Sequence, residues 1–213
     1  MIYLFNTAQK MTFVRDLSKN LDCSLFDKYF NELSWKDNVN NSVSVEMDFL
    51  SHPHFSSHKT YLENECKNFL ISNFIKEELF NGLQITNSWG NITKGGESHH
   101  EHTHPFSVVS GVIFLDNNED NLNLDIEGYV AEIPYFIPNN RPYVSLKRLF
   151  DEAGVGPESH NNLKYHLVLF LSNFHHKVNS ISKDRPPRRS IAFNTFWKGR
   201  VGLNNEPLGS YTF

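Results

Sequence analysis

Two kinds of hydrophobic patterning divide this chain. From residue 83 onward, apolar residues come in short runs: Leu83 to Ile92, Phe106 to Leu115, Leu122 to Ile126, His166 to Leu171 and Ser190 to Trp197. Asn, Gly, Asp and Pro separate them, the reading expected of strands broken by turns. Gly95-Gly96 and Asp116-Asn117-Asn118 are turn signals suited to antiparallel connections. The second half is therefore mostly β. In the first half, Met1 to Phe5 reads as an opening strand, and a polar, poorly periodic segment then runs to about residue 55. Within it Ser42 to Met47 alternates, with Val43, Val45 and Met47 on one side of a short strand. From Thr60 the period becomes helical: Thr60-Tyr61-Leu62-Glu63 has capping-box form, and Leu62, Cys66, Phe69, Leu70 and Phe74 recur at helical intervals. Such a helix covers one face of a sheet. A longer irregular segment lies between Tyr129 and Asn162, with one or two helical turns expected over Val144 to Phe150. A long loop of this kind is a candidate lid or substrate surface.

Composition narrows the function classes. At 213 residues without a Pro/Gly/Ser-rich linker, a single domain is expected, and eighteen phenylalanines supply large side chains for a β-rich core. A formal charge of −4 and the lack of any Lys/Arg run give no footprint for nucleic acid or an anionic membrane. Met1 to Asn6 lacks the basic start and the apolar length of a secretion signal, so a soluble cytoplasmic protein is expected. Cys23 and Cys66 are far apart and outside any CxxC pair, which predicts packed thiols and no disulfide or thiolate metal site.

The chemistry concentrates in His99-His100-Glu101-His102-Thr103-His104-Pro105, where four of the eleven histidines precede an apolar run. Imidazole nitrogens bind divalent first-row metals, and residues two apart on a strand face the same way. If the segment is regularly extended, His100, His102 and His104 share one face and His99, Glu101 and Thr103 the other; a bulge would reshuffle them. The usual iron-oxygenase triad is two histidines and a carboxylate. His99-His100-Glu101 has the spacing for its first half, whereas His102-Thr103-His104 puts an imidazole where the acid would be. A solvated histidine loop that picks up metals adventitiously is the bland alternative.

A second cluster lies far downstream. His176 follows the buried-strand run His166 to Leu171, and its neighbour His175 faces the other way on an extended chain, so one of the two reaches an ion. The polar connection Ser180 to Pro187 then leads into Arg188 to Asn194, the look of a hairpin. On that returning strand Arg188, Ser190, Ala192 and Asn194 share a face, opposite Arg189, Ile191 and Phe193. A guanidinium beside small residues suits bidentate binding of a carboxylate, with the Ser190 hydroxyl adding a hydrogen bond. Solvated edge charges are the competing description of Arg188 and Arg189.

Between residues 83 and 198 the chain resembles a family of small stand-alone 2-oxoglutarate- and Fe(II)-dependent oxygenases of bacteria and their viruses, distantly similar to prolyl hydroxylases. The resemblance rests on Ser88-Trp89-Gly90-Asn91, on Gly95 or Gly96, on the stretch from His102 through Thr103-His104-Pro105 to Ser107, Ser110-Gly111-Val112, on Leu169-Phe170-Leu171-Ser172 with His176, and on Arg188-Arg189-Ser190-Ile191-Ala192-Phe193-Asn194. It implies a mainly β fold, a cupin-like jelly roll or double-stranded β-helix over 83–198, with 1–82 as a supporting N-terminal region carrying one or more helices. It implies His102 and His176 as Fe(II) ligands and Arg188 as the residue holding the distal carboxylate of the cosubstrate, 2-oxoglutarate. His104 stands where relatives of the wider superfamily carry Asp or Glu; it ranks ahead of Glu101 as third ligand, and on affinity order a third imidazole also suits zinc, copper or nickel. Asn91 and Ser190 are placed beside the cosubstrate and Ser107 or Ser110 behind the ligands, with a routine strand hydrogen bond the competing description of Asn91 and the two serines; Trp89 walls the pocket or, the preferred reading, belongs to the core. The implied reaction is hydroxylation of a small-molecule or peptidyl substrate.

Two other readings use the same residues. A cupin-like metal protein without oxygenase activity, an isomerase or a binding module, also places histidines on jelly-roll strands. It has no need of Arg188. An interaction domain with a surface histidine loop needs neither. Oligomeric state and the role of the 134–157 insertion are not written in the sequence.

Overall fold

Strand β9 (His166–Leu171) is apolar at nearly every inner position because both of its faces are covered. Leu167 and Leu169 join a core of aromatic and aliphatic side chains that includes Phe26, Phe55, Leu62, Phe69, Ile191 and Phe193. Val168 and Phe170 point the other way, into a smaller core with Val14, Phe114, Leu124, Ile126 and Phe174. The first core lies between the large sheet and the helices, the second between two sheets. Each fully buried Leu or Phe contributes on the order of 2 kcal/mol.

The computed structural model describes residues 12–80, 82–117, 124–127, 143–145, 163–180, 182–198, 200–201 and 211–212. The large sheet has seven strands in the order β1 (Thr12–Asp16), β9, β6 (Val109–Phe114), β11 (Arg188–Trp197), β4 (Leu83–Thr93), β3 (Asn41–Ser44) and β2 (Trp35–Asn38). A four-stranded sheet runs β5 (His99–His102), β10 (His175–Val178), β7 (Leu124–Glu127) and β8 (Tyr143–Ser145). Every pairing within them is antiparallel. A short ribbon pairs β12 (Arg200–Val201) with β13 (Tyr211–Thr212).

The strands expected from residue 83 onward are all present within a few residues of their predicted limits. One connection differs. Arg188 to Asn194 does not form a hairpin with the segment before it: β10 lies in the small sheet between β5 and β7, while β11 lies in the large sheet between β6 and β4. The chain thus crosses from one sheet to the other, and this crossing lets His176 and Arg188 face one interior. Of Val144 to Phe150, the described part is strand β8 and not a helical turn; the rest lies outside the described residues, as do the strand expected over Met1 to Phe5 and most of the 134–157 insertion.

The N-terminal region is more ordered than its weak periodicity suggests. It supplies β1, α1 (Ser24–Phe30), β2 and β3 before the long helix. The short strand expected over Ser42 to Met47 is β3, which ends at Ser44; its buried positions are Asn41 and Ser44, while Val45 and Met47 beyond it are exposed. Helix α2 spans Ser56–Asn73 and so begins a turn before Thr60. Thr60 is not its cap; its hydroxyl donates back to the Ser56 carbonyl at 3.0 Å. The inward face carries Leu62, Cys66, Phe69 and Leu70 as expected, together with His58 and Glu65, while Phe74 at the end is exposed. Arg189 fastens α1 to the sheet, reaching Asp116 at 2.6 Å and Asp27 at 2.9 Å. Both cysteines are buried and free, and burial pushes the Cys23 thiol up to about 12. Among the described residues no helix is long and apolar enough to cross a membrane.

Two glycines are fixed by close approach. A Cβ on Gly95 would lie 2.4 Å from the Lys183 carbonyl oxygen, and one on Gly111 would lie 2.2 Å from the Phe193 ring. The first lets the loop before β11 cross the β4–β5 turn. The second lets the S-G-V strand lie flat against its neighbour, where Gly111 is paired with Phe193.

Candidate metal centre

Strand β5 is short and irregular. Its pairing with β10 runs His102 to His176 and His99 to Val178, so that four residues of β5 lie against three of β10. That extra residue is a bulge, and it turns His99 to the side occupied by His102. The regular alternation expected for His99 to His104 is therefore broken. Glu101 is turned away: exposed, it sits 3.2 Å from the His175 ring nitrogen on the outer side of the small sheet. The bulge that could have delivered a carboxylate delivers a fourth imidazole instead.

On the inner side, nitrogens of His102, His104 and His176 all lie within 4.8 Å of one another. The Nε2 atoms of His104 and His176 are 3.1 Å apart. Two nitrogens each about 2.1 Å from one ion at right angles lie about 3 Å apart, so the pair fits a shared cation. The second nitrogens are held from behind: Nδ1 of His102 is 2.8 Å from the His100 carbonyl and Nδ1 of His176 is 3.1 Å from the Phe174 carbonyl. A carbonyl only accepts, so both rings carry their proton on Nδ1 and present a bare Nε2. His104 is treated differently, with the Asn194 amide 3.3 Å from its Nδ1. His99, His100 and His102 form a second close group, with His100 exposed.

Burial sets the charge state of these rings. It pushes His104 down to about 4 and His99 down to about 3, with His102 the next contributor to each. His176 is held well below the ordinary imidazole range by burial and then by its His102 and His104 neighbours. His102 is lowered by burial against the opposing pull of the His100 carbonyl. Neutral imidazoles are the form that binds a metal.

The same cavity contains the predicted cosubstrate residues. Arg188, Ser190, Asn91, Thr93 and His99 line it together with the three histidines, and Trp89, Phe114, Phe170 and Phe193 supply apolar wall. Arg188 is not a solvated edge charge; only 3 % of it is exposed, and its Nη2 donates to Thr93 Oγ1 at 3.4 Å. Among the described residues the Asn91 Oδ1 atom is buried without a hydrogen-bond partner, and Asn91 lines the cavity. Trp89 is buried as expected of a core residue, and it also walls the cavity, standing against His104 with ring centroids 5.7 Å apart. The sequence offers His99 only by its two-residue spacing from Glu101 and not as a partner of His102. Regular alternation sets it opposite His102, and the bulge that admits it reverses the parity of the strand.

Ser107 and Ser110 belong to a hydroxyl network that reaches His104 through Asn194. The Ser110 hydroxyl donates to Asn194 Oδ1 at 2.7 Å and lies 2.8 Å from the Ser172 hydroxyl, which is 2.7 Å from that of Ser107. The backbone N–H of His104 donates to the Ser172 carbonyl at 2.9 Å, which ties the loop after β5 to the end of β9.

Three converging imidazoles and a buried guanidinium line one cavity beside the two antiparallel sheets, an arrangement that can take a metal ion and an anion together. Comparison with known proteins gives the class its name. The family model described as "Putative 2OG-Fe(II) oxygenase" matches residues 87–194, just over half of the chain. The chain belongs to the 2OG-Fe(II) oxygenase family, whose cofactor is Fe(II) and whose cosubstrate is 2-oxoglutarate. No curated protein matches it. Among solved structures, the chain is similar to an oxidoreductase of the 2OG-Fe(II) oxygenase family from Burkholderia pseudomallei (14% identity, TM-score 0.52, covering 82% of this chain and 77% of that one). It is also similar to a Pseudomonas putida prolyl-4-hydroxylase (10% identity, TM-score 0.51, 91% and 97%) and to HygX from Streptomyces hygroscopicus with nickel and 2-oxoglutarate bound (10% identity, TM-score 0.50, 87% and 82%). At these identities the likeness is one of fold, the double-stranded β-helix.

Proposed function

We propose that this oxygenase holds Fe(II) with a three-histidine face, His102, His104 and His176, and receives the distal carboxylate of 2-oxoglutarate on Arg188. One observation carries the reading: the three imidazoles and Arg188 line one cavity, with Arg188 buried and the imidazoles held neutral. When bound, Fe(II) supplies O2 activation driven by oxidative decarboxylation of the 2-oxo acid. The chain's own part is binding, orientation and exclusion of water. Arg188 offers two parallel N–H donors to a carboxylate, with Ser190 as a further donor and Asn91 beside it. Trp89, Phe114 and Phe170 keep the cavity apolar around the imidazoles.

The overall reaction is hydroxylation: a substrate C–H, O2 and 2-oxoglutarate become C–OH, succinate and CO2. The substrate is a small molecule or a peptidyl side chain, acted on without nucleic acid or membrane, in the cytoplasm. The domain is read as one unit, 1–82 supporting the barrel of 83–198. With three neutral ligands and no carboxylate, the site leaves the full charge of the dication for its anionic guests.

The test is turnover without added substrate. The Fe(II)-loaded protein supplied with 2-oxoglutarate and O2 is expected to release succinate slowly, and the His102→Ala and His176→Ala variants none above buffer. Wild-type protein that binds one Fe(II) yet forms no succinate would leave a metal-binding module as the better description.

A further inference from the structure

We infer that Asn194 selects the tautomer of His104, and that its amide must rotate by half a turn before His104 can act as a ligand. The inference rests on the three-histidine reading above. His102 and His176 have their tautomers fixed by carbonyls, which only accept. His104 faces an amide, which can donate or accept. In this structure Asn194 Nδ2 faces His104 Nδ1 at 3.3 Å, so Nδ1 accepts and the ring proton sits on Nε2. That proton has a partner, because His104 Nε2 lies 3.1 Å from His176 Nε2, whose own proton is on the other nitrogen. The ring nitrogen that must bind the ion is therefore occupied in a hydrogen bond to its fellow ligand.

Behind Asn194 the hydroxyls form a chain with a single sense. Ser110 donates to Asn194 Oδ1, so Ser172 must donate to Ser110 and Ser107 to Ser172. The chain is buried, with Ser110, Ser172 and Asn194 all nearly inaccessible. Among the hydroxyls and the amide it can also run backward, each still donating to a partner. His104 Nδ1–H would donate to Asn194 Oδ1, Asn194 Nδ2 to Ser110, Ser110 to Ser172 and Ser172 to Ser107. Ser107 would end on the Thr195 carbonyl, already 3.1 Å from its hydroxyl. Two senses of one buried network make a two-state element, the first satisfied without an ion and the reversed one satisfied only when a cation takes the two bare Nε2 atoms. A cation binding at Nε2 favours the reversed one. The His104 proton leaves Nε2 and one is taken up at Nδ1, so the ring stays neutral and the site loses no net proton.

Asn194 is a positioning residue, so the decisive readout is spectroscopic. Long-range 1H–15N spectra of histidine-labelled protein, at a pH where the imidazoles are neutral, are expected to show His104 with its proton on Nε2 when metal-free. In the zinc-loaded protein the proton is expected on Nδ1. A proton on Nδ1 in both states overturns the inference, since the amide would then already accept. Zinc affinity gives an independent arm: Asn194→Leu should weaken it by about 10- to 100-fold, the usual cost of losing a partner behind a ligand. Asn194→Asp, which always accepts, should bind zinc at least as tightly as wild type. Asn194→Leu within twofold of wild type counts against the selector. His104→Ala separates the two readings: if it leaves zinc affinity unchanged, the ligand assignment itself fails, whatever Asn194 does.

Discussion

Replacing Arg188 by Leu separates the oxygenase reading from a bare metal site. The guanidinium is 3 % exposed, so a carboxylate meeting it gains a charge pair shielded from solvent. Removing one partner of a buried, hydrogen-bonded charge pair typically costs about 2 to 5 kcal/mol. At about 1.4 kcal/mol per tenfold in affinity, this predicts a 2-oxoglutarate Kd weaker by about 30- to 4,000-fold. Arg188→Lys keeps a point charge and loses the planar fork, so it should fall between the two. The assay is calorimetric titration of 2-oxoglutarate into zinc-loaded protein, with zinc affinity measured beside it. Zinc should bind both variants within a few-fold of wild type, because Arg188 is not among the clustered nitrogen ligands. A 2-oxoglutarate Kd unchanged in Arg188→Leu would refute the reasoning; loss of zinc and cosubstrate together in a folded protein would refute the separation of their sites.

Three further outcomes follow from the geometry. His176→Ala should lose metal affinity by at least tenfold, whereas His175→Ala and Glu101→Gln, on the outer face of the small sheet, should leave it within twofold; a metal-binding defect in Glu101→Gln would restore the carboxylate to the ligand set. Gly111→Ala forces a methyl to 2.2 Å from the Phe193 ring and should destabilise the fold by about 1–3 kcal/mol, read as a lower urea midpoint; an unchanged midpoint would mean the strands separate at no cost. The metal-free protein should lose stability as the pH falls from the ordinary imidazole range toward 4, because the unfolded chain takes up protons that His99, His102, His104 and His176 refuse while buried. A midpoint flat over that window would show the rings charged in the folded state.

The strands of the barrel were legible because their patterning is local: a run such as His166–Leu171, buried on both faces, needs no knowledge of its partners. The face of β11 was legible for the same reason, and Arg188, Ser190 and Asn194 do share the interior side. His176 and not His175 turned inward, as an extended chain requires. What escaped the sequence depends on distant pairing. The bulge in β5 exists only against β10, and by shifting parity it brings in His99 and sends Glu101 out. Strands β10 and β11 looked like a hairpin because they are close in sequence, yet each finds its partners elsewhere. The N-terminal elements are held by long-range contacts, such as Arg189 to Asp27, that leave no periodic trace.

The central claim is that three imidazoles and one guanidinium bind Fe(II) and 2-oxoglutarate in a single cavity. Anaerobic addition of both to the wild-type protein tests it most directly, through the visible charge-transfer band of a 2-oxo acid chelated to protein-bound Fe(II). The account predicts a band that saturates at one Fe(II) per chain, is absent from His176→Ala, and in Arg188→Leu appears only at far higher 2-oxoglutarate. A folded wild-type protein that gives no band with both ligands in excess, or a band that survives the loss of His102 and His176 together, would contradict it.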